Sequence, residues 1–504
     1  MGGLRGESPR VGPLKTAADH LVKGLPGLAA HQDNPVQYAG HIEVDKARDA
    51  SMFYWLFESS SSSKEDDIPL IIWLNGGPGC SSLIGEFLEV GPLGLSKSGS
   101  IEINKESWLS VGHLLFIDQP VGTGYSFTKG GAGAHCRNDR ECNRDLYAFL
   151  VNFFKLHNRL MVHTETGYVT RRTILTGESH AGHVIPSFTK FVMEKNTALT
   201  TNSKSDSNNN MIINIDALAI GNGWIDPSEQ YDVSDFAHMM GLITLSQKNS
   251  LANKKSICQS NLKKGQFNSR TCFRLLDDVL DMTKRADGKR VLIYDIRERV
   301  TSDAYYPPGH KRFEIYLNRA DVKRALHADR VNHRFGQCLD PPYFALRHQD
   351  GKGVSNELSY VLDKGINVFL FTGQYDLICN FKSLESSMNK LQWKGSAAWK
   401  SADLRRWGTN YGWVKSTGGL TSVVFSDSGH MVAMDQKGRT LEMMKNIVNK
   451  KVLNAGPKAN AKEMQKLTRR RLLSTDAGSA YNPFVPWALI AIGLILLVLR
   501  KNVK

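Results

Sequence analysis

The stretch Thr173-Ile174-Leu175-Thr176-Gly177-Glu178-Ser179-His180-Ala181-Gly182 decides the fold. Its first four residues read as the end of a buried strand, and a helical pattern follows from Val184 to Lys195. Between them, Gly177 and Ala181 flank Ser179 at two residues on either side. A serine held on a sharp strand-to-helix turn needs small neighbours at those two positions, because larger side chains collide with the chain. The stricter pattern has glycine at the second position, where this chain has Ala181. Such a pentapeptide is common by chance, and it gains weight here from the strand before it and the helix after it.

Outward from that turn, short runs at Val36–Val44 and Met52–Phe57 read as strands, followed by a loop of five serines. Continuous apolar runs of strand length follow at Ile68–Leu74, Leu114–Ile117, Thr173–Thr176, Ile212–Ile220, Val368–Thr372 and Ser422–Phe425. Strands buried on both faces read this way, so a central, mostly parallel sheet flanked by helices is expected. Helical patterns such as Arg144–Leu156 lie between the strands, and the Asn/Ser-rich stretch 200–210 reads as a surface loop. A charged, partly helical insertion at about 227–355 interrupts the rhythm and is expected to cap the site. There is no internal repeat.

A serine needs a histidine base and a carboxylate that orients it. On an α/β-hydrolase scaffold the partners follow in the order Ser, Asp, His, each after a later strand. Asp376 stands just beyond the Val368–Thr372 run, and His430 just beyond Ser422–Phe425. Both positions are carboxyl ends of strands, where open α/β sheets place their sites. The ordinary alternative for one histidine or one acid is a solvated or structural role, but order and strand-end position together favour the triad. Trp73-Leu74-Asn75-Gly76-Gly77-Pro78-Gly79-Cys80-Ser81-Ser82 follows an early strand, and its glycines let backbone N–H groups approach an oxyanion. No Gly-Lys-Ser/Thr follows, which excludes a nucleotide-binding loop.

The net charge of +15 invites a nucleic-acid reading. Its excess lies in the Lys254-Lys255 and Lys263-Lys264 pairs, in 284–300 and in the tail from Lys458 to Arg471, with no nucleic-acid motif beside them. Solvated faces are the expectation, and no nucleic-acid partner. The seven cysteines form no C-x-x-C pair and no histidines stand at metal spacing, so no metal and no cofactor are expected. An odd count fits three disulfides and one free thiol, hence an oxidising compartment. Cys136–Cys142 and Cys258–Cys272 are plausible short-loop pairs, while spacing alone cannot choose among Cys80, Cys338 and Cys379.

The domain plan has five parts. Residues 1–25 are an N-terminal segment with no apolar core of a signal peptide, so a signal ahead of the given start is expected. Residues 26–453 form the catalytic domain, 454–483 a basic linker, 484–499 a transmembrane helix and 500–504 a short basic tail. The run from Phe484 to Leu499 has 16 residues, slightly short of the roughly 17–25 of a spanning helix. It has no amphipathic period, which favours a membrane anchor over a buried helix. Arg500, Lys501 and Lys504 put its end in the cytosol, although Arg469 to Arg471 weaken that orientation.

The chain resembles the serine carboxypeptidase family, whose motifs appear in order as WLNGGPGCSSL, FIDQPVGTGYSF, GESHAG, YDLICN and GHMV, from about Pro26 to Lys450. TAADHLVKGLPG, YAGHIEVD, LLFIDQPVGTGYSF and the C-terminal apolar segment resemble the membrane-anchored, Kex-type pheromone-processing branch. The resemblance implies that Gly77 and His180 supply oxyanion N–H groups and that Asn75, Glu89 and Glu178 bind the substrate's terminal carboxylate. It also implies a Cys80–Cys338 bond with Cys379 left free, removal of C-terminal Lys and Arg from processed proproteins, and a lumenal catalytic domain in a secretory-pathway membrane such as the trans-Golgi network. Two acids facing a carboxylate repel it unless one is protonated, so peptidase activity is expected to be best in mildly acidic conditions. His180, Gln374 and Ala433 depart from the family's usual Tyr, Asp and Pro, and none of them removes a catalytic group. Oligomeric state is not legible. The competing readings are an acyltransferase on the same scaffold and a catalytically idle binding protein, and the complete triad argues against the second.

Overall fold

The computed structural model describes residues 16–458 except 30–33, 61–66, 162–167, 202–210, 304–305, 409, 452 and 454. The expected transmembrane helix at 484–499, the tail at 500–504, most of the linker and most of the 200–210 loop lie outside the described residues. Among the described residues, no helix is long and apolar enough to cross a membrane.

Among the described residues, twelve strands form one sheet. In chain order they are β1 (Gln37–Asp45), β2 (Ala50–Phe57), β3 (Leu70–Leu74), β4 (His113–Ile117), β5 (Phe127–Thr128), β6 (Tyr168–Glu178), β7 (Ile212–Gly221), β8 (Asn367–Gly373), β9 (Arg405–Trp407), β10 (Gly412–Thr417), β11 (Leu420–Phe425) and β12 (Ala455–Lys458). The spatial order is β1-β2-β4-β3-β6-β7-β8-β11-β10-β9-β12, with β5 beside β2. The six strands from β4 to β11 run parallel, as their apolar runs predict. Antiparallel strands extend the sheet at both ends. Strands β5, β9, β10 and β12 are not read from the sequence, because they are short or mix polar with apolar residues and contain no long apolar run. The first residues of the expected linker thus form strand β12.

The alternation of a strand divides the core between two faces. In β3, Leu70, Ile72 and Leu74 join one cluster and Ile71 and Trp73 join the other. Helices α1 (Asp139–Leu156) and α2 (Ala181–Thr201) cover the first face with Phe149, Phe153, Ile185 and Phe188. Trp108, Trp407, Met443 and Met444 fill the second. Asn138 caps α1 by accepting the Glu141 N–H at 3.0 Å.

Between β7 and β8 the chain leaves the sheet for a mostly helical stretch that includes α3 (Ala252–Lys263), α4 (Arg270–Met282) and the hairpin Arg290–Leu292/Asp295–Val300. A Cys258–Cys272 disulfide joins α3 to α4, and Cys136–Cys142 ties the loop before α1 to the start of that helix. Cys80–Cys338 ties the glycine-rich loop after β3 to this stretch across 258 residues, and Cys379 is free and buried.

A loop of that length loses much entropy when it is cross-linked in the unfolded chain. We expect Cys338→Ser to lower unfolding stability by about 2–5 kcal/mol, read as a shift in urea midpoint. An unchanged midpoint would mean that other contacts hold the loop.

Candidate active site

Five neighbouring strands, β3, β6, β7, β8 and β11, deliver their carboxyl ends to one place. Ser179 follows β6 with φ of +61°, in the left-handed region that is costly for a residue with a side chain. Its N–H donates to the Gly221 carbonyl at 3.0 Å, and its own carbonyl accepts from Gly182 at 2.8 Å and Trp224 at 2.9 Å. These bonds hold the strained turn. Small residues are obligatory around it: a Cβ on Gly177 would lie 2.1 Å from the Leu74 carbonyl oxygen, and one on Gly182 would lie 2.6 Å from Gly223 Cα.

Asp376 and His430 meet directly, with His430 Nδ1 2.8 Å from Asp376 Oδ2. Asp376 is fully buried and also accepts the side-chain amide of Asn222 at 2.6 Å and the N–H groups of Ile378 and Cys379 at 3.2 Å. Burial by itself would lower the pKa of His430, but the charge and hydrogen bond of Asp376 outweigh it and raise the imidazole above its ordinary value. The His430 N–H donates to the Tyr294 carbonyl at 2.8 Å, and the Tyr294 ring, stacked on Tyr306, lies 5.1 Å from the imidazole. Ser179 is linked to the pair through the chain, since Gly221, which accepts its N–H, is followed by Asn222.

The loop after β3 packs on the serine turn: a Cβ on Gly76 would lie 2.5 Å from His180 N and 2.7 Å from Ser179 Cβ. Gly77 adopts φ of +109°. Among the described residues neither the Gly77 nor the His180 N–H donates to a backbone carbonyl. Asp118 secures the far end of the loop, accepting the Ser81 hydroxyl at 2.5 Å and the Ser82 N–H at 3.0 Å. The His180 imidazole stacks on His183, and burial with the charge of His183 lowers its pKa to about 3. His180 therefore offers a neutral side chain.

Asn75 donates to Glu178 Oε1 at 3.0 Å, and its own oxygen accepts from Trp73 Nε1 at 2.7 Å and Gly85 N at 3.2 Å. Glu89 ends a π-helical turn, Gly85–Glu89, a distortion that often marks functional positions. Glu178 and Glu89 are only 5% and 2% exposed, and they interact. As carboxylates neither can donate, and both Glu89 oxygens are buried without a hydrogen-bond partner. A proton on either acid turns the pair into donor and acceptor. Burial pushes Glu89 up to about 8, and burial with the charge of Glu89 raises Glu178 well above the carboxylate range.

Cys379 Sγ, an Asp376 oxygen and a His430 nitrogen lie within 4.8 Å of one another, a grouping with possible metal ligands. Burial, then the charge of Asp376, raises the thiol well above its ordinary pKa. A metal needs the thiolate, so this grouping is a poor metal site.

Sequence reading did not find Asn222, Tyr294 or Tyr306. Asn222 had the same strand-end signal as Asp376, in Gly221-Asn222-Gly223 after β7, whereas the two tyrosines come from the insertion, which carries no such pattern.

The family model described as serine carboxypeptidase matches residues 26–450. A pheromone-processing carboxypeptidase of Phytophthora infestans is 34% identical over 480 residues, covering 93% of this chain and 77% of the relative. A serine carboxypeptidase family member of Dictyostelium discoideum is 32% identical over 464 residues, covering 88% and 78%. The crystal structure of a prohormone-processing carboxypeptidase from Saccharomyces cerevisiae superposes with a TM-score of 0.76 at 28% identity, covering 87% of this chain and 97% of that one.

Removing the Asn222 side chain deletes a hydrogen bond to a buried carboxylate, of a kind worth about 1.5–3 kcal/mol. Asn222→Gly, which keeps the positive φ of 42° accessible, is expected to lower kcat about tenfold or more with KM little changed. Equal kcat in both enzymes would remove Asn222 from the site.

Stability should also follow the acid pair. The unfolded chain ionises Glu89 near its ordinary 4.5 and the folded chain near 8, so between these values the folded state binds more protons. Stability is therefore fully present below the lower value and declines as pH rises through the upper one. Glu89→Gln is expected to flatten the plot of thermal midpoint against pH from about 5 to 8, and an unaltered slope would place the sensitivity elsewhere.

Proposed function

The chain belongs to the serine carboxypeptidase family, and from that premise we propose how its residues divide the reaction and which peptides it trims. It is a serine-type carboxypeptidase, a hydrolase of peptide bonds. In our reading Ser179 Oγ attacks the last peptide carbonyl while His430 takes its proton and then delivers it to the departing amine. Asp376 fixes the imidazole's tautomer and supports its positive charge. The N–H groups of Gly77 and His180 bind the oxyanion, which gains stabilisation only as charge develops there. Water, activated by the same histidine, then releases the acyl-enzyme.

The acid pair beside the serine carries the exopeptidase reading. With a proton held between Glu89 and Glu178, and with the Asn75 amide, the site can donate hydrogen bonds to a substrate's terminal carboxylate. Once both acids ionise it repels that group. Two limbs follow for the pH profile. The raised His430 must lose its proton to act as base, which limits the acid side. The acid pair must keep a proton, which limits the alkaline side.

The relatives' names speak of pheromone and prohormone processing. Carried to this chain, the substrates are proprotein fragments ending in Lys or Arg, left by an upstream endoprotease. Three disulfides support an oxidising, lumenal setting, and the apolar run at 484–499 supports an anchor in a secretory-pathway membrane such as the trans-Golgi network. We read 26–453 as the catalytic domain, with about 227–355 as its cap.

The test incubates the protein and a Ser179→Ala control at about pH 5 with a peptide ending in Lys-Arg and its C-terminal amide, with products read by mass spectrometry. Stepwise loss of Arg and then Lys from the free acid alone, dependent on Ser179, is expected, as is a KM that rises from about pH 5 to 8. Trimming only of peptides ending in Leu or Phe would keep the mechanism and discard the basic preference. Equal trimming of the amide would discard the carboxylate-binding role.

A further inference from the structure

A cavity of about 200 Å³ opens from Gly77, Ser179 and His180 and runs under the insertion. None of Asn75, Glu89 and Glu178 lines it. If those three hold the terminal carboxylate, as proposed above, the departing residue lies on their side of Ser179. The cavity then lies on the acyl side and receives the penultimate side chain.

Its walls have a definite chemistry. Trp224, Tyr231 and Val233 are buried and form one apolar wall. Helix α4 forms the other with Phe273, Leu276 and Asp277, which share one helix face through their i, i+3 and i+4 spacing. Two carboxylates line the cavity. Asp350 is engaged, since its carboxyl accepts the Tyr231 hydroxyl and its carbonyl accepts Trp224 Nε1 at 3.0 Å. Asp277 is exposed and has no ion-pair partner among the described residues, and no Lys or Arg lines the cavity. The neighbouring Asp278, by contrast, is taken by Lys254, and the Cys258–Cys272 bond ties α4 to α3. An apolar shaft with a free carboxylate on its wall suits a side chain with a long aliphatic stem and a cationic end.

We infer that Asp277 is a specificity-determining residue that makes the enzyme prefer Lys or Arg at the penultimate position, independently of the residue removed. This rests on the carboxypeptidase reading above and names what that site selects on its acyl side. A fragment ending in Lys-Arg would then be recognised twice, once on each side of the bond.

The test measures kcat/KM for release of Arg from peptides ending in Lys-Arg, Leu-Arg and Glu-Arg, with wild type, Asp277→Asn and Asp277→Lys. An exposed charge pair contributes up to about 1 kcal/mol, so the Lys-Arg to Leu-Arg ratio in wild type should be up to about fivefold. It should shrink in 1 M salt, where the screening length is about 3 Å. Asp277→Asn should bring the ratio to about one, and Asp277→Lys should favour Glu-Arg. The rate on Leu-Arg normalises each protein's rates on the other two peptides, and matching circular dichroism spectra and thermal midpoints show all three proteins folded. A ratio near one in wild type, or one that Asp277→Asn leaves unmoved, overturns the assignment while leaving the carboxypeptidase reading intact. A wild type that trims none of the peptides overturns both.

Discussion

Contact between two turns governs this active site. Gly76, in the loop after β3, approaches the Ser179–His180 turn so closely that a single added carbon would lie 2.5 Å from a backbone nitrogen. In the proposed reaction the groups that meet the reacting carbonyl depend on that approach: the strained serine and the N–H groups of Gly77 and His180, which donate to no backbone carbonyl among the described residues. The parallel sheet makes it possible, because β3 and β6 are adjacent and end at the same level. Asp118 and the Cys80–Cys338 bond then hold the loop from behind, so that the strain at Ser179 is maintained by packing.

Two opposed proton demands meet within this volume. The His430 imidazole is raised by the Asp376 charge beside it, whereas Glu89 is raised by burial and Glu178 by burial and the charge of Glu89. Ionisation of Glu178 also favours the charged imidazole, so the two systems are coupled. A protonated acid pair lowers the field at His430 and at the same time becomes a donor for a carboxylate. In the proposed reading, a single proton thus lets the site accept a chain terminus and favours the neutral imidazole that the base requires. Cost accompanies this arrangement, since a fold that buries two acids is less stable once both are charged.

The mostly helical stretch between β7 and β8 has a different relation to the chemistry. It supplies Tyr294 and Tyr306 behind the imidazole and, with α4, a wall of the cavity beside the serine. Such a division is physically sensible: strand ends hold the reacting groups rigidly, while a helical insertion can vary its lining without disturbing the sheet.

By itself the sequence determined the sheet's parallel centre, the turn at Ser179, and the strand-end positions of Asp376 and His430. Each of these is a local pattern: an apolar run of strand length, small residues two places from a serine, a polar residue just past a strand. Family resemblance, not spacing, singled out Cys80 and Cys338 and brought Asn75, Glu89 and Glu178 into one group. Only the tertiary structure decided that Asn222 donates to Asp376 across 154 residues, that two tyrosines of the insertion back His430, and that the sheet continues into antiparallel edges. Periodicity reports which face of its own element a residue occupies, whereas these contacts depend on which elements become neighbours, and that is set by the packing of the whole core.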